Sequence, residues 1–283
     1  ICPLYDWYLE NTDVEYFPKQ YEFAKLNIEG AIIGKRHILR LVDEGLIDGW
    51  DDPRLLTISG MRRRGYTPDG IKNFIRATGG SKENSTVDMA MLEHFIREDL
   101  KLKTPRVMAV LDPLKVVITN YEGEGELLPM TNNVENPDLG EREMPFSREI
   151  YIEREDFMEE PPKGYKRLSP GKEVRLMGAY FIRCDEVIKD EQGEVTELHC
   201  SYDIETKSGS GFKGRKPQGT IHWVDGKSSI PARVYRFTPL IDGVFDAEVD
   251  LVDQIKKDSV QLYHARVEKI LGESHDHDAF QFV

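Results

Sequence analysis

Pro105-Arg106-Val107-Met108-Ala109-Val110 is the stretch at which the chain changes its hydrophobic period. Before it, apolar residues recur at helical spacing. After it they alternate. Working back towards the N-terminus, Ile38, Leu39, Leu41 and Val42 form one helical stripe that stops at Gly45, a C-cap residue type. A second helix is predicted over 53–64, with Pro53 at its start and Gly65 beyond its end. A third is predicted from Asp69 to Ala77, closed by Gly79-Gly80. The fourth is predicted to start at Ser85 or Thr86 as N-cap, with Val87, Met91, Leu92, Phe95 and Ile96 on its face.

Working forward, 106–111, 115–120, 149–153, 173–183, 194–202 and 219–224 read as strands. Asp190-Glu191-Gln192-Gly193 reads as the turn of a hairpin. Ser208-Gly209-Ser210-Gly211 and the basic run Lys213, Arg215 and Lys216 read as a flexible hairpin tip. A second β-rich unit is expected to begin near Ala232 and to be unfinished at Val283. Many short strands with Gly and Pro turns favour antiparallel barrels over a parallel sheet. The predicted class is therefore α+β: a compact helical domain, then an antiparallel β-barrel and a second, unfinished β-rich unit.

Composition narrows the function classes. Among 283 residues, 38 Lys and Arg against 51 Asp and Glu give a formal charge of −13, with 39% hydrophobic and 31% charged residues. That balance is globular rather than disordered, and no apolar run reaches the roughly 20 residues of a spanning helix. Three cysteines are too few for a disulfide scaffold and lack zinc-ligand spacing. A net negative charge leaves room for a local basic face that binds nucleic acid. The chain opens on Ile1-Cys2-Pro3-Leu4, without an initiator Met or signal pattern, and closes on Ala279-Phe280-Gln281-Phe282-Val283. Both ends are expected to be cut.

Four local features bear on chemistry. Gly34-Lys35-Arg36 precedes a helix; it is either a phosphate-holding turn or a solvated loop, and it lacks P-loop spacing. Arg62-Arg63-Arg64, at a helix end, is either a phosphate-sized basic patch or a terminus paired with acids. Tyr165-Lys166-Arg167-Leu168, ahead of Gly171-Lys172-Glu173-Val174-Arg175, interleaves basic and aromatic residues at a strand entrance. It suits either base stacking or the charged protection of a strand edge. Ser274-His275-Asp276-His277-Asp278 is a weak metal pattern, and the expected metal site is none. No Cys–His or Ser–His–Asp arrangement stands out. Cys184 and Cys200 fall nearly opposite each other across the predicted hairpin and read as buried thiols packed as small hydrophobes.

Gly49-Trp50-Asp51-Asp52-Pro53-Arg54, followed by Thr57-Ile58-Ser59-Gly60-Met61-Arg62-Arg63-Arg64-Gly65-Tyr66-Thr67-Pro68, resembles the C-terminal half of the glutaminyl-tRNA synthetases, a class I family. Supporting segments are Ile96-Arg97-Glu98-Asp99-Leu100, the Pro105–Val110 stretch, Tyr121-Glu122-Gly123-Glu124-Gly125-Glu126, the 165–175 region and Ile221-His222-Trp223-Val224. Archaeal and eukaryotic glutamyl-tRNA synthetases share the architecture and the Trp-Asp-Asp-Pro-Arg run. The Thr-Ile-Ser-Gly and Arg-Arg-Arg-Gly-Tyr wording is similar to the glutaminyl branch.

The resemblance implies a division of labour. The family's N-terminal Rossmann domain, which holds ATP, glutamine and the tRNA 3′ end, is missing here. Residues 1–30 correspond to its tail, with Cys2–Pro3 a splice across a gap. Residues 31–104 correspond to the helical domain that opens with the second signature loop, 105–230 to a proximal anticodon-binding barrel of ribosomal-L25-like type, and 231–283 to a shortened distal one. Ile33, Gly34, Lys35 and Arg36 fall on the loop that contacts ATP phosphates. Lys35 falls on its catalytic lysine, and Gly34 stands where the family carries Ser. Arg106, Lys166, Arg167 and Arg175 fall on basic residues used on the anticodon bases, with Arg62, Arg63 and Arg64 as a further tRNA-binding patch. Met177 stands where the family carries an arginine of that set. The implied activity is ATP-dependent glutamine–tRNA ligation through an adenylate. Implied with it are Mg²⁺ on the phosphates, a glutamine tRNA as partner, no membrane, a monomeric state and a cytoplasmic location. The 283 residues alone are expected to be inactive in charging. Glutamyl specificity and a non-catalytic anticodon-binding fragment stay open as alternatives.

Overall fold

The computed structural model describes residues 2–80 and 82–283, so the reading of Ile1 lies outside the described residues. The chain divides into two compact units, Ile1–Arg97 with Pro239–Lys256, and Glu98–Thr238 with Lys257–Val283.

The first unit carries α1 (Cys2–Glu10), β1 (Leu26–Ile28), α2 (Lys35–Asp43), α3 (Ile58–Arg63), α4 (Pro68–Thr78) and β2 (Ser85–Val87), with the opening of α5 (Met89–Lys103). Two sequence expectations shift here. The helix expected from Pro53 starts only at Ile58, because the Asp52 carboxylate accepts the Arg54 backbone N–H at 2.9 Å and holds 52–54 in a turn. Thr57 is the cap, its hydroxyl accepting the Gly60 N–H at 2.9 Å. Ser85 and Thr86 do not cap α5; they pair in parallel with Leu26 and Asn27, and the Asp88 carboxylate accepts the Ala90 N–H at 2.8 Å instead.

Ile32, Ile38, Leu41, Ile47 and Leu55 close into one core with Leu240, Ile241 and Leu251, which return from far along the chain. Gly30 anchors that return. Its carbonyl accepts the Leu240 N–H at 3.1 Å, and its own N–H reaches the Gly243 carbonyl at 2.7 Å. Arg40 adds a forked pair to Asp250 at 3.0 and 3.1 Å. The sequence assigns 239–256 to a distal barrel; the packing of Leu240, Ile241 and Leu251 puts it with the helices instead.

The second unit is mostly β. Its strands are β3 (Arg106–Val107), β4 (Ala109–Val110), β5 (Pro113–Ile118), β6 (Glu126–Thr131), β7 (Glu141–Phe146), β8 (Glu149–Glu153), β9 (Glu173–Leu176), β10 (Phe181–Lys189), β11 (Val195–Asp203), β12 (Thr220–Ile221), β13 (Val224–Asp225), β14 (Ile230–Phe237), β15 (Val260–Val267) and β16 (Gln281–Phe282). Seven of them form one sheet in the order β12-β9-β10-β11-β5-β8-β13, and β14-β15-β4 form another. The large sheet is mixed rather than purely antiparallel, since β11 runs parallel to β5 and β12 parallel to β9.

Its outer strands, β12 and β13, are separated in sequence only by His222 and Trp223. Laid flat, seven strands would put those edges about 29 Å apart, whereas three residue steps span about 10 Å. The sheet must therefore curl. Trp223, fully buried, fills the seam: its indole N–H donates to the Met177 carbonyl at 2.9 Å, and its ring meets Phe146 edge-on at 5.3 Å.

The predicted strand over 173–183 breaks into β9 and β10 at Gly178, whose φ of 68° makes the tight turn that an L side chain resists. The predicted strand over 106–111 breaks at Met108, whose N–H is taken by the Glu268 carboxylate at 2.7 Å. The Asp190 turn forms, and Cys184 and Cys200 face each other in register, both buried as free thiols.

Candidate nucleic-acid interface

The basic residues divide by what holds them. In the first unit, Arg64 turns inward onto the Pro53 carbonyl at 3.3 Å, Glu93 at 3.2 Å and the Tyr66 ring at 5.4 Å. Arg63 forms an exposed pair with Asp51 at 3.2 Å. Arg62 is exposed, and among the described residues its side chain has no partner. The arginine run is thus not one patch. Nearby, Asp52 is 1% exposed and grips Arg54 through two contacts of 2.8 and 2.6 Å. Burial pushes its carboxyl up, but the Arg54 bonds outweigh that and hold it below the ordinary carboxylate range. Trp-Asp-Asp-Pro-Arg is therefore a structural knot.

At the head of α2, Gly34 offers no side-chain cap; its carbonyl accepts the N–H groups of His37 and Ile38 at 2.9 and 3.0 Å. Ile33, Lys35 and Arg36 are exposed. His37 is pushed below the usual imidazole range by burial and by the Arg36, Lys25 and Arg40 cations. A first turn without a side-chain cap, beside such cations, suits an anion.

In the second unit, Arg106 is tied to Gln281 and Glu135, each at 3.1 Å, and Lys101 reaches the same Glu135 at 3.1 Å. Those two cations hold the Glu135 carboxyl low. Lys166 is exposed, and its side chain has no partner among the described residues. Arg167 is half exposed, donating through Nε to Asp156 at 2.7 Å. Arg175 differs from Arg106 and Arg167 in what holds it. Its Nη1 donates to the Thr206 carbonyl (3.1 Å), the Ser208 hydroxyl (2.9 Å) and the Ala179 carbonyl (3.4 Å), and it lies over the Phe181 ring at 4.3 Å. Among the described residues no carboxylate pairs with it, and burial lowers its pKa. The backbone brings 166–167 and 175 together: a Cβ on Gly219 would sit 2.1 Å from the Lys166 carbonyl oxygen, while the Gly219 carbonyl accepts the Arg175 N–H at 2.8 Å.

The family model described as tRNA synthetases class I (E and Q), anti-codon binding domain, matches residues 104–203. The one described as the catalytic domain of the same class matches residues 2–102. The chain belongs to the class I tRNA synthetases of the E and Q type. It is similar to the glutamine–tRNA ligase of Clostridium perfringens, 55% identical over 99% of this chain and 51% of that protein. The ligases of Clostridioides difficile (52% identical, 51% of that protein) and Pseudomonas syringae (50% identical, 50% of that protein) match over 99% of this chain as well. The chain spans about half the length of the curated relatives it matches.

The anticodon-domain match covers Arg106, Lys166, Arg167 and Arg175 together. Residues missed in the sequence lie just beyond them. Arg215, read as part of a flexible tip, is instead clamped by Glu173 at 2.6 and 2.7 Å and by Asp203 at 2.7 Å, against the rings of Phe181 and Phe212. Those partners stand far away in sequence, so no local pattern could announce them. Around the His pair, the His275 N–H donates to the Asp278 carboxylate at 2.8 Å. No helix among the described residues is long and apolar enough to cross a membrane.

Proposed function

We propose that this chain is the tRNA-reading part of a glutamine–tRNA ligase, joined to the helical part that carries the nucleotide-phosphate loop. In this reading the whole protein is cytoplasmic and monomeric, and joins glutamine to its tRNA at the expense of ATP. The match of the anticodon-binding model to 104–203, the span that holds Arg106, Lys166, Arg167 and Arg175, carries the reading. Residues 1–30 are then the tail of the catalytic domain and 31–104 the helical domain. The curled sheet of 105–230 is the proximal barrel, and 231–283 supplies a shortened distal barrel whose loop 239–256 is lent to the helices.

Each basic side chain has a task that its setting suits. Arg167 and Arg175 present fixed donors to the edges of unpaired bases, and Lys166 meets phosphate as a mobile point charge. Arg62 adds a second, sequence-blind phosphate contact. In the helical part, the uncapped first turn of α2 fits a phosphate chain, with Lys35 placed to steady the charge that develops there and Ile33, Gly34 and Arg36 shaping the loop. ATP supplies the activated phosphoryl bond, with Mg²⁺ on its phosphates.

Equilibrium binding to a glutamine tRNA transcript, against the same transcript with a swapped anticodon at one salt concentration, tests the reading. Clear preference for the native anticodon is expected; equal binding to both overturns anticodon reading. The 283 residues alone are expected to leave tRNA uncharged in a standard ATP-dependent aminoacylation assay, and appreciable charging would overturn that part.

A further inference from the structure

Arg175 is an unusual arginine for a protein with thirteen more acids than bases. It is partly buried and anchored only by neutral acceptors through one nitrogen, and it lines a cavity of about 420 Å³ with Lys207, Ser208, Gly209, Gly211 and Phe212. Its Nε and Nη2 donors are left for a ligand. Yet an acid stands close by. Glu173 and Arg175 are alternate residues of β9, so their side chains leave the same face of the sheet. On that face Phe181 of β10 pairs with Arg175 on one side and with Asp203 of β11 on the other. Two carboxylates therefore flank the arginine's strand position, but Glu173 is the competitor: it lies about 6.6 Å away along the same strand, whereas Asp203 lies about 9.6 Å away across two strands.

Neither is free. Arg215 takes Glu173 through both carboxylate oxygens and Asp203 through one, and rests 5.6 Å from the centre of the Phe181 ring. The other arginine across from Glu173, Arg183 on β10, is already committed to Asp185 at 2.8 Å. We propose that Arg215 is a positioning residue. By sequestering Glu173, with Asp203 as its second anchor, it keeps Arg175 unneutralised, and so keeps the pocket selective for an unpaired base. Arg215 needs no contact with the RNA for this role; it sets the charge of the residue that makes the contact. The inference rests on the anticodon-reading proposal and extends it to the control of one reader.

The test uses the full 283-residue chain, native and anticodon-swapped glutamine tRNA, and three variants: Arg215→Ala, Glu173→Gln, and the two combined. The parent and Glu173→Gln are expected to discriminate equally. Arg215→Ala is expected to lose about tenfold or more of that discrimination, because Glu173 swings to Arg175. The double variant is expected to recover most of it. A merely structural Arg215 would make the double variant no better than the single one, and that result overturns the proposal; so does full discrimination by Arg215→Ala. Thermal unfolding of each variant separates misfolding from charge competition, since Glu173→Gln cannot restore a clamp that has lost its arginine. A parent chain blind to the anticodon is a different result: it overturns the anticodon reading itself, and this inference with it.

Discussion

Asp52 and Arg54 show how little a charged motif says about function until its partners are known. The carboxylate is buried and spent on one arginine and on backbone N–H groups. Removing one member of such a pair leaves an uncompensated buried charge, so Asp52→Asn is expected to cost about 3 kcal/mol, read as faster hydrogen exchange in α3. The Asp52 pKa is depressed on folding. Its contribution is thus present above the unfolded carboxylate value and lost as pH falls through the folded one, and the acid limb of the stability curve should be shallower in the variant. Arg167 is the converse case, half exposed with only one nitrogen engaged. Arg167→Ala is expected to weaken tRNA binding roughly tenfold and to blur anticodon choice; an unchanged preference would remove it from the reading set. The sequence showed the arginine run 62–64 as one block of charge. Its three different fates depend on Asp51, Glu93 and Tyr66, which local spacing does not bring into view.

The period change at Pro105 was legible because burial imposes it: α5 ends at Lys103, and β3 begins at Arg106. What escaped were breaks imposed by tertiary partners, such as the Glu268 carboxylate at Met108, and the β6–β7 ribbon, whose exposed residues and Pro129 hide its alternation. The long hairpin β10–β11 carries its own pH dependence. His199 sits between Glu197 at 2.9 Å and Glu186 at 3.0 Å, bonds that raise its pKa above the ordinary imidazole value. Support from the charged ring is therefore full below the unfolded imidazole pKa and lost as pH rises through the folded one. An NMR titration of His199 should give a midpoint above 6.5, and amides of β10 and β11 should exchange faster at pH 8 than at pH 6 beyond the intrinsic rate change. A midpoint at or below the ordinary value would show the two carboxylates to be idle.

For the molecule as a whole, a charge of −13 opposes a polyanionic partner at long range. Binding must depend on few contacts at short range. With the two phosphates assigned to Arg62 and Lys166 neutralised, affinity for tRNA should fall about sevenfold between 50 and 200 mM salt, and a flat salt profile would exclude those two contacts. The division of the chain was the least legible feature, because residues 239–256 carry no mark of where they belong. Leu240, Ile241 and Leu251 complete a core begun by Ile32, Ile38 and Leu41. On the ribosome that has a temporal meaning. The first apolar half of the core, ending at Leu55, emerges first, and its complement from Leu240 follows only after about 180 intervening residues, a wait of about 9–36 s at bacterial to eukaryotic elongation rates. The strands of the seven-stranded sheet, from Pro113 to Asp225, are all born within that interval, so this sheet is free to fold first while the earlier helices wait, their apolar face exposed to chaperones.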